Sequence, residues 1–190
     1  MLSLLAAILL LCLQCSEGYE SELSRRHKQG PVELDRVESI LIYGGSKVWY
    51  GSFDDNGFLG IFKREMASRN IIVTCEGRQN STISSFLTDF ENKVIKKRPS
   101  LTIFMFGDDD ILQQGADIQW NMDRLKHEFV RDLEYFIVRS LEHNIPVVLS
   151  TTTIYGDRAD YTNYFDNYLE ILNGIYYYYT QKHKFTLISI

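Results

Sequence analysis

The chain has 190 residues, 45% of them hydrophobic, which suits one packed domain and is too apolar for a disordered chain. A net charge of -5 without a concentrated Lys/Arg cluster argues against nucleic acid, whose phosphates demand one. The two local basic runs, Arg25-Arg26-His27-Lys28 and Lys96-Lys97-Arg98, read as solvated surface.

An almost unbroken apolar run extends from Leu2 to Leu13, with Ser16 and Gly18 following at a spacing that signal peptidase accepts. Residues 1–18 therefore read as a cleaved secretory signal, and the protein as secreted. The run falls short of the roughly 20 apolar residues that a helix needs to cross hydrocarbon, so no stable membrane insertion is expected. Cleavage after Gly18 removes Cys12 and Cys15 and leaves Cys75, which sits in an apolar run and is expected to be a buried, inert thiol without a disulfide partner. Residues 19–36 form a polar lead-in, and residues 37–190 a single domain.

Within that domain, short apolar runs alternate with amphipathic segments. The first run, Ser39–Tyr43, leads into Gly44-Gly45-Ser46 and then Lys47-Val48-Trp49-Tyr50-Gly51. A helix fits Phe58–Ser68, and a second apolar run covers Ile71–Cys75. Thr82 to Lys97 carries Ile83, Phe86, Leu87, Phe90, Val94 and Ile95 at three- and four-residue spacings, the mark of an amphipathic helix, with Arg98-Pro99 as its stop. Ser81 or Thr82 is placed to cap it. After the third run, Leu101–Phe106, a helix from about Met122 to Glu142 places Leu125, Phe129, Leu133, Phe136, Ile137 and Leu141 on one stripe. A fourth run covers Pro146–Ser150, a weaker helix about Thr162–Gln181, and a fifth run Phe185–Ile190.

The apolar runs do not alternate, which suits strands buried on both faces. Strand and helix in this alternation predict an α/β fold: a three-layer α/β/α sandwich on a five-stranded parallel sheet. In such sheets a ligand sits beyond the carboxyl ends of the strands, where the strand order reverses.

Three loops at those ends carry the chemistry. Ser46, reached through Gly44 and Gly45, can present its hydroxyl at the end of the first strand, though taken singly the loop reads equally as an ordinary Gly-Gly-Ser turn. After the second strand comes Glu76-Gly77-Arg78-Gln79-Asn80-Ser81-Thr82, in which Gly77 can turn a backbone N–H toward the same edge. After the third comes Gly107-Asp108-Asp109-Asp110, three acids that cannot all ionise cheaply and must be solvated, paired, partly protonated or bound to a cation.

In order and spacing these loops resemble the blocks of the SGNH hydrolases, the GDSL-like esterases and lipases. Gly44-Gly45-Ser46 with Gly51 is similar to the family's Gly-Asp-Ser block, Gly77 to its second-block glycine, and Gly107-Asp108-Asp109-Asp110 to its Gly-x-Asn-Asp block. Ser150-Thr151-Thr152-Thr153 with Ile154-Tyr155-Gly156 is similar to its Thr-Pro-containing loop. The resemblance runs from about Ile40 to the last residue and implies the flavodoxin-like fold of that family. It also implies Ser46 as the acyl-accepting nucleophile, with its own N–H and that of Gly77 as oxyanion donors. Asp109 stands where the family places an Asn whose amide is the third donor.

Three departures accompany the resemblance. Gly45 replaces the Asp beside the nucleophile. Asp109 turns a donor into an acceptor, and loss of one oxyanion donor costs about 10²–10³ in rate. The family's Asp-x-x-His block is absent: His27 precedes the fold, His127 and His143 belong to the long helix, and His183 comes before the last strand. Either a longer gene product is truncated here, or catalysis has been given up. Gly45 and Asp109, taken as two independent changes, lean toward the second.

The expected activity is hydrolysis of small acyl esters, such as those of acetylated carbohydrate or lipid, weak or absent in this chain. The alternative is a non-catalytic secreted module that binds a glycan or lipid head group, with Trp49, Tyr50, Tyr155, Tyr161 and Tyr164 available to stack on it. Tyr176 to Tyr179 covers more than one helix face, so part of it must be exposed. A receiver-like phosphate or metal domain needs acids after the first strand as well, and Gly44-Gly45-Ser46 supplies none. No cofactor or metal is expected, because His and Cys do not cluster. Asn80-Ser81-Thr82 is an N-glycosylation acceptor, placed where a glycan would partly cover a pocket at Gly77.

Overall fold

A computed structural model describes residues 29, 32–152, 165–183 and 185–188. The apolar runs form strands β1 (Ser39–Gly44), β2 (Ile72–Gly77), β3 (Leu101–Met105), β4 (Val147–Ser150) and β5 (Thr186–Ile188). All pair in parallel in the order β2-β1-β3-β4-β5. Between them lie α1 (Ser46–Gly51), α2 (Phe58–Ser68), α3 (Asp108–Leu112), α4 (Ile118–Glu142) and α5 (Asp166–His183).

Alternate strand residues feed two cores, as the pleat requires. Leu41, Tyr43, Phe104, Phe106, Val147 and Leu149 pack beneath the 83–95 segment, α4 and α5. Ile40, Ile42, Ile103, Met105 and Val148 pack beneath Val48 of α1 and Leu59 and Met66 of α2. This is the three-layer α/β/α sandwich. Tyr43 anchors the larger core: its ring meets Phe86, Phe90, Phe104, Phe106 and Phe136, and its hydroxyl donates to Phe86 O at 3.2 Å.

Several expectations need correction. β2 is an edge strand, not one buried on both faces: among the described residues it pairs only with β1, and Ile72 is 68% exposed. Cys75 on that strand is half-buried rather than buried, and partial burial pushes its thiol up, away from reactivity. The 82–97 segment is not a regular helix. It begins as a 3-10 turn (Ile83–Phe86) and continues as a π-helix (Glu91–Ile95). Hydroxyls divert its start, Ser85 Oγ donating to Thr82 O and Ser84 Oγ to buried Asp132. The wider π turn, with Lys96 N–H on Glu91 O at 2.9 Å, brings Phe90, Val94 and Ile95 together into the core. Ser46 opens a short helix where a loop was expected, and α4 starts at Ile118, ahead of Met122.

The tyrosine run divides as its spacing requires. Tyr176 and Tyr179 are buried and Tyr177 is 48% exposed. Residues 153–164, with Tyr155, Tyr161 and Tyr164, lie outside the described residues, as do 189–190 and residues 1–28, which include the expected signal segment 1–18. Among the described residues no helix is long and apolar enough to cross a membrane.

Candidate active site

β1 and β3 are neighbours in the sheet, while the chain passes from β1 to β2 on the opposite side. The strand order therefore reverses beside β1, and the loops following β1, β2 and β3 meet at that point. Ser46 is the first residue of α1, directly beyond β1, and Asp109 lies in α3, beyond β3.

These two residues touch. Ser46 Oγ donates to Asp109 Oδ1 at 2.8 Å, and Ser46 N–H donates to Asp109 Oδ2 at 2.6 Å. The same Oδ2 accepts the Ser81 N–H at 3.3 Å. Ser46 Oγ in turn accepts the backbone N–H of Asn80 at 2.8 Å. The nucleophile candidate thus has its proton aimed at a carboxylate and its oxygen held by a backbone donor.

Gly45 makes room for this arrangement. A Cβ on residue 45 would stand 2.3 Å from Asp109 Oδ2 and 3.1 Å from Ser81 O. Residues 45 and 109 are thus in steric contact and are not spatially independent positions.

The three acids are neither solvated nor clustered on a common partner. Asp108, Asp109 and Asp110 are 4%, 4% and 2% exposed. Asp108 faces Lys47 Nζ at 3.9 Å; burial raises its carboxyl, while Lys47 opposes the rise. Asp110 accepts the Ile83 N–H on both oxygens, at 3.0 and 3.2 Å. Burial pushes Asp110 up to about 7. Burial also lowers the Lys47 ammonium. Each acid thus ties α3 to a different stretch of the two preceding loops. The cap expected from Ser81 or Thr82 comes instead from Asp110, and Ser81 Oγ donates to Gln79 O.

Gly77 closes β2 opposite Gly44, packed so tightly on α1 that a Cβ there would lie 2.3 Å from Trp49 N. The backbone donor on the Ser46 hydroxyl comes from Asn80, three residues on. Asn80 holds a left-handed backbone with φ of 50°, and its carbonyl accepts Gln113 Nε2 at 2.8 Å. Nothing local in the sequence marks Asn80 for this role, because it depends on how far the loop after β2 folds back over α1. Gly107, at φ 125°, turns β3 into α3 in a conformation open to glycine.

Among the described residues no histidine bonds Ser46 or Asp109. His127 is exposed on α4, and His143 ends that helix with Nδ1 2.9 Å from Arg139 O. His27 and the side chain of His183 lie outside the described residues. Among those residues no group of three or more His, Cys, Asp or Glu side chains could hold a metal ion. A shallow apolar cleft lined by Ile42, Phe58, Phe62, Ile103, Met105, Ser150 and Ile188 opens on the α2 face of the sheet, apart from the Ser46 cluster.

Solved structures superpose on most of this chain. An acetyl xylan esterase matches with a TM-score of 0.65 at 17% identity, over 79% of this chain and 76% of that one. A GDSL-like lipase from Bacteroides thetaiotaomicron matches with a TM-score of 0.59 at 15% identity, over 85% and 71%. The fold is that of the SGNH hydrolases. An acetylxylan esterase from Geobacillus stearothermophilus shares this SGNH fold with a TM-score of 0.61 at 18% identity, over 85% of this chain and 77% of that one. No protein-family model and no curated protein matches the sequence. Within the SGNH fold, the β1–α1 and β3–α3 loops are the ones that hold Ser46 and Asp109 together.

Proposed function

We propose that this chain hydrolyses small acyl esters, with Ser46 as the nucleophile and acetylated carbohydrate as one candidate substrate class. The observation that carries the reading is the Ser46 hydroxyl, which lies at the switch point of an SGNH fold, donates to Asp109 at 2.8 Å and accepts from Asn80 N–H at 2.8 Å. A nucleophile needs a proton acceptor and a fixed oxygen, and this one has both. Turnover is expected to be slow, because Asp109 stands where the fold's relatives place an oxyanion donor, at a cost of about 10²–10³ in rate.

One observation favours a second reading, a binding module without catalysis. Asp109 Oδ2 already takes the N–H of Ser46, the group that would otherwise face an acyl oxyanion, together with that of Ser81. Trp49 and Tyr50, 39% and 55% exposed on α1 beside this cluster, offer aromatic surface for a glycan.

Hydrolysis of p-nitrophenyl acetate and butyrate by the wild type and by Ser46→Ala separates the two. A rate that vanishes with Ser46→Ala supports the hydrolase; equal rates in both proteins leave the binding module. The apolar leader supports secretion as part of the proposal, and N-terminal sequencing of material from the medium, expected to start after Gly18, tests it.

A further inference from the structure

Resting on Ser46 as the nucleophile, we infer that Asp109 itself is the proton acceptor of Ser46, a carboxylate in direct contact with the hydroxyl. Three features of the geometry carry this. The Ser46 proton points at Asp109 Oδ1 at 2.8 Å, within the reach a general base requires. The other oxygen is fixed by the Ser46 and Ser81 N–H groups, so the carboxylate cannot turn away from the hydroxyl. Gly45 leaves open the space that Oδ2 occupies, where a Cβ would stand 2.3 Å away.

The step balances without another group. Ser46 Oγ attacks the ester carbonyl carbon, its proton passes to Asp109 Oδ1, and the carbonyl π pair moves to oxygen. The new oxyanion then faces a neutral carboxyl rather than a carboxylate, so the charge of the cluster is unchanged and the repulsion expected from an Asp at this position does not arise. Collapse of the tetrahedral adduct breaks the bond to the alcohol, which takes the proton back from Asp109 and leaves acyl-Ser46. Water then attacks the acyl carbon, giving its proton to Asp109. Collapse expels Ser46 Oγ, which recovers that proton, and the acid product departs. Asp109 is in this sense a catalytic residue.

The test uses the full chain and p-nitrophenyl acetate. Asp109→Asn keeps the shape of the side chain but cannot accept the proton, and it restores the amide donor of the fold's relatives. A fall in kcat of about 10²-fold or more, with KM little changed, supports the inference. A rate at or above wild type overturns it and leaves Ser46 as nucleophile, with Asp109 acting as an obstruction. Asp109→Ala with added formate gives a second readout: recovery of rate with rising formate supports a lost base, and a Ser46-dependent rate indifferent to formate counts against it. If wild type shows no Ser46-dependent hydrolysis, the nucleophile reading fails and this inference falls with it. Circular dichroism of each variant separates loss of fold from loss of chemistry.

Discussion

Gly45 and Asp109 share one volume: any side chain on residue 45 would enter the space of Asp109 Oδ2, 2.3 Å from an added Cβ. The carboxylate is held there by Ser46 and Ser81, so it cannot yield without breaking hydrogen bonds. Gly45→Ala is expected to destabilise the fold by about 1–3 kcal/mol, the range for overpacking a filled site. In an Asp109→Ala background the same change should cost less, though not nothing, because Ser81 O remains 3.1 Å from the added Cβ. Urea unfolding of the four proteins of this cycle gives the coupling directly. A coupling near zero would separate the two residues and return them to independent changes.

Gly77 offers a different test of close approach. Its added Cβ would meet Trp49 N at 2.3 Å and the Val48 carbonyl carbon at 2.7 Å, both backbone atoms of α1 with no rotamer to adjust. Gly77→Ala should therefore displace α1, with Ser46 at its start, from its present register against Asp109. Stability and Ser46-dependent hydrolysis are expected to fall together. Unchanged stability with reduced turnover would instead show that the displacement is absorbed locally, at Ser46 and the start of α1.

Most of the scaffold was legible because burial writes itself into composition. The runs around Ile40, Ile103 and Val148 are apolar without alternation because both faces of the central strands are covered, and Phe129, Leu133 and Phe136 repeat at helical spacing because one side of α4 is buried. The same logic misjudged Ile72, whose apolar character does not reveal that its strand lies at an edge. It also found the buried stripe of the 82–97 segment while missing its 3-10 and π geometry, since Phe86, Phe90 and Val94 face inward in either winding. The site was legible only in part. Ser46 and Asp109 stand where family resemblance places them, but contacts between distant loops decide what they touch. The volume shared with Gly45, the Asn80 N–H on Ser46 Oγ and the Asp110 cap on Ile83 have no local signature.

Asn80 joins two expectations that pull in opposite directions. Its backbone N–H holds Ser46 Oγ, while its exposed side chain begins the glycosylation sequence Asn80-Ser81-Thr82. A glycan there would stand beside the hydroxyl it helps to position. Asn80→Gly removes the acceptor, keeps the N–H and accommodates the φ of 50° without strain. If secreted protein carries a sugar at Asn80, this variant should react faster than wild type with a fluorophosphonate probe at Ser46. Peptide mass spectrometry reports both occupancy and labelling; equal labelling of a fully occupied wild type would show that the sugar leaves Ser46 open.

Asp110 should leave its mark on stability across pH. Burial is the main cause that pushes its carboxyl up to about 7; Asp108 and Asp109 add to the rise and the Ile83 N–H opposes it. An unfolded Asp titrates near about 3.9. Between those values the folded chain keeps a proton that the unfolded chain has released, so stability falls as pH rises through the window. The contribution is fully present below about 3.9 and is lost as pH climbs through about 7. Asp108, raised by burial as well, acts in the same direction, whereas Glu76, lowered despite partial burial by Lys97 and Lys93, acts in the opposite one over a more acidic range. The informative quantity is therefore a difference. Asp110→Asn has no charge to gain and can still accept the Ile83 N–H through its carbonyl oxygen, so its stability should decline less than that of wild type between about pH 4.5 and 7.5. Urea midpoints for both proteins at several pH values in that range measure it. Parallel curves would mean that Asp110 ionises as an ordinary carboxyl, and that the Ile83 N–H, not the proton, meets the cost of burying it.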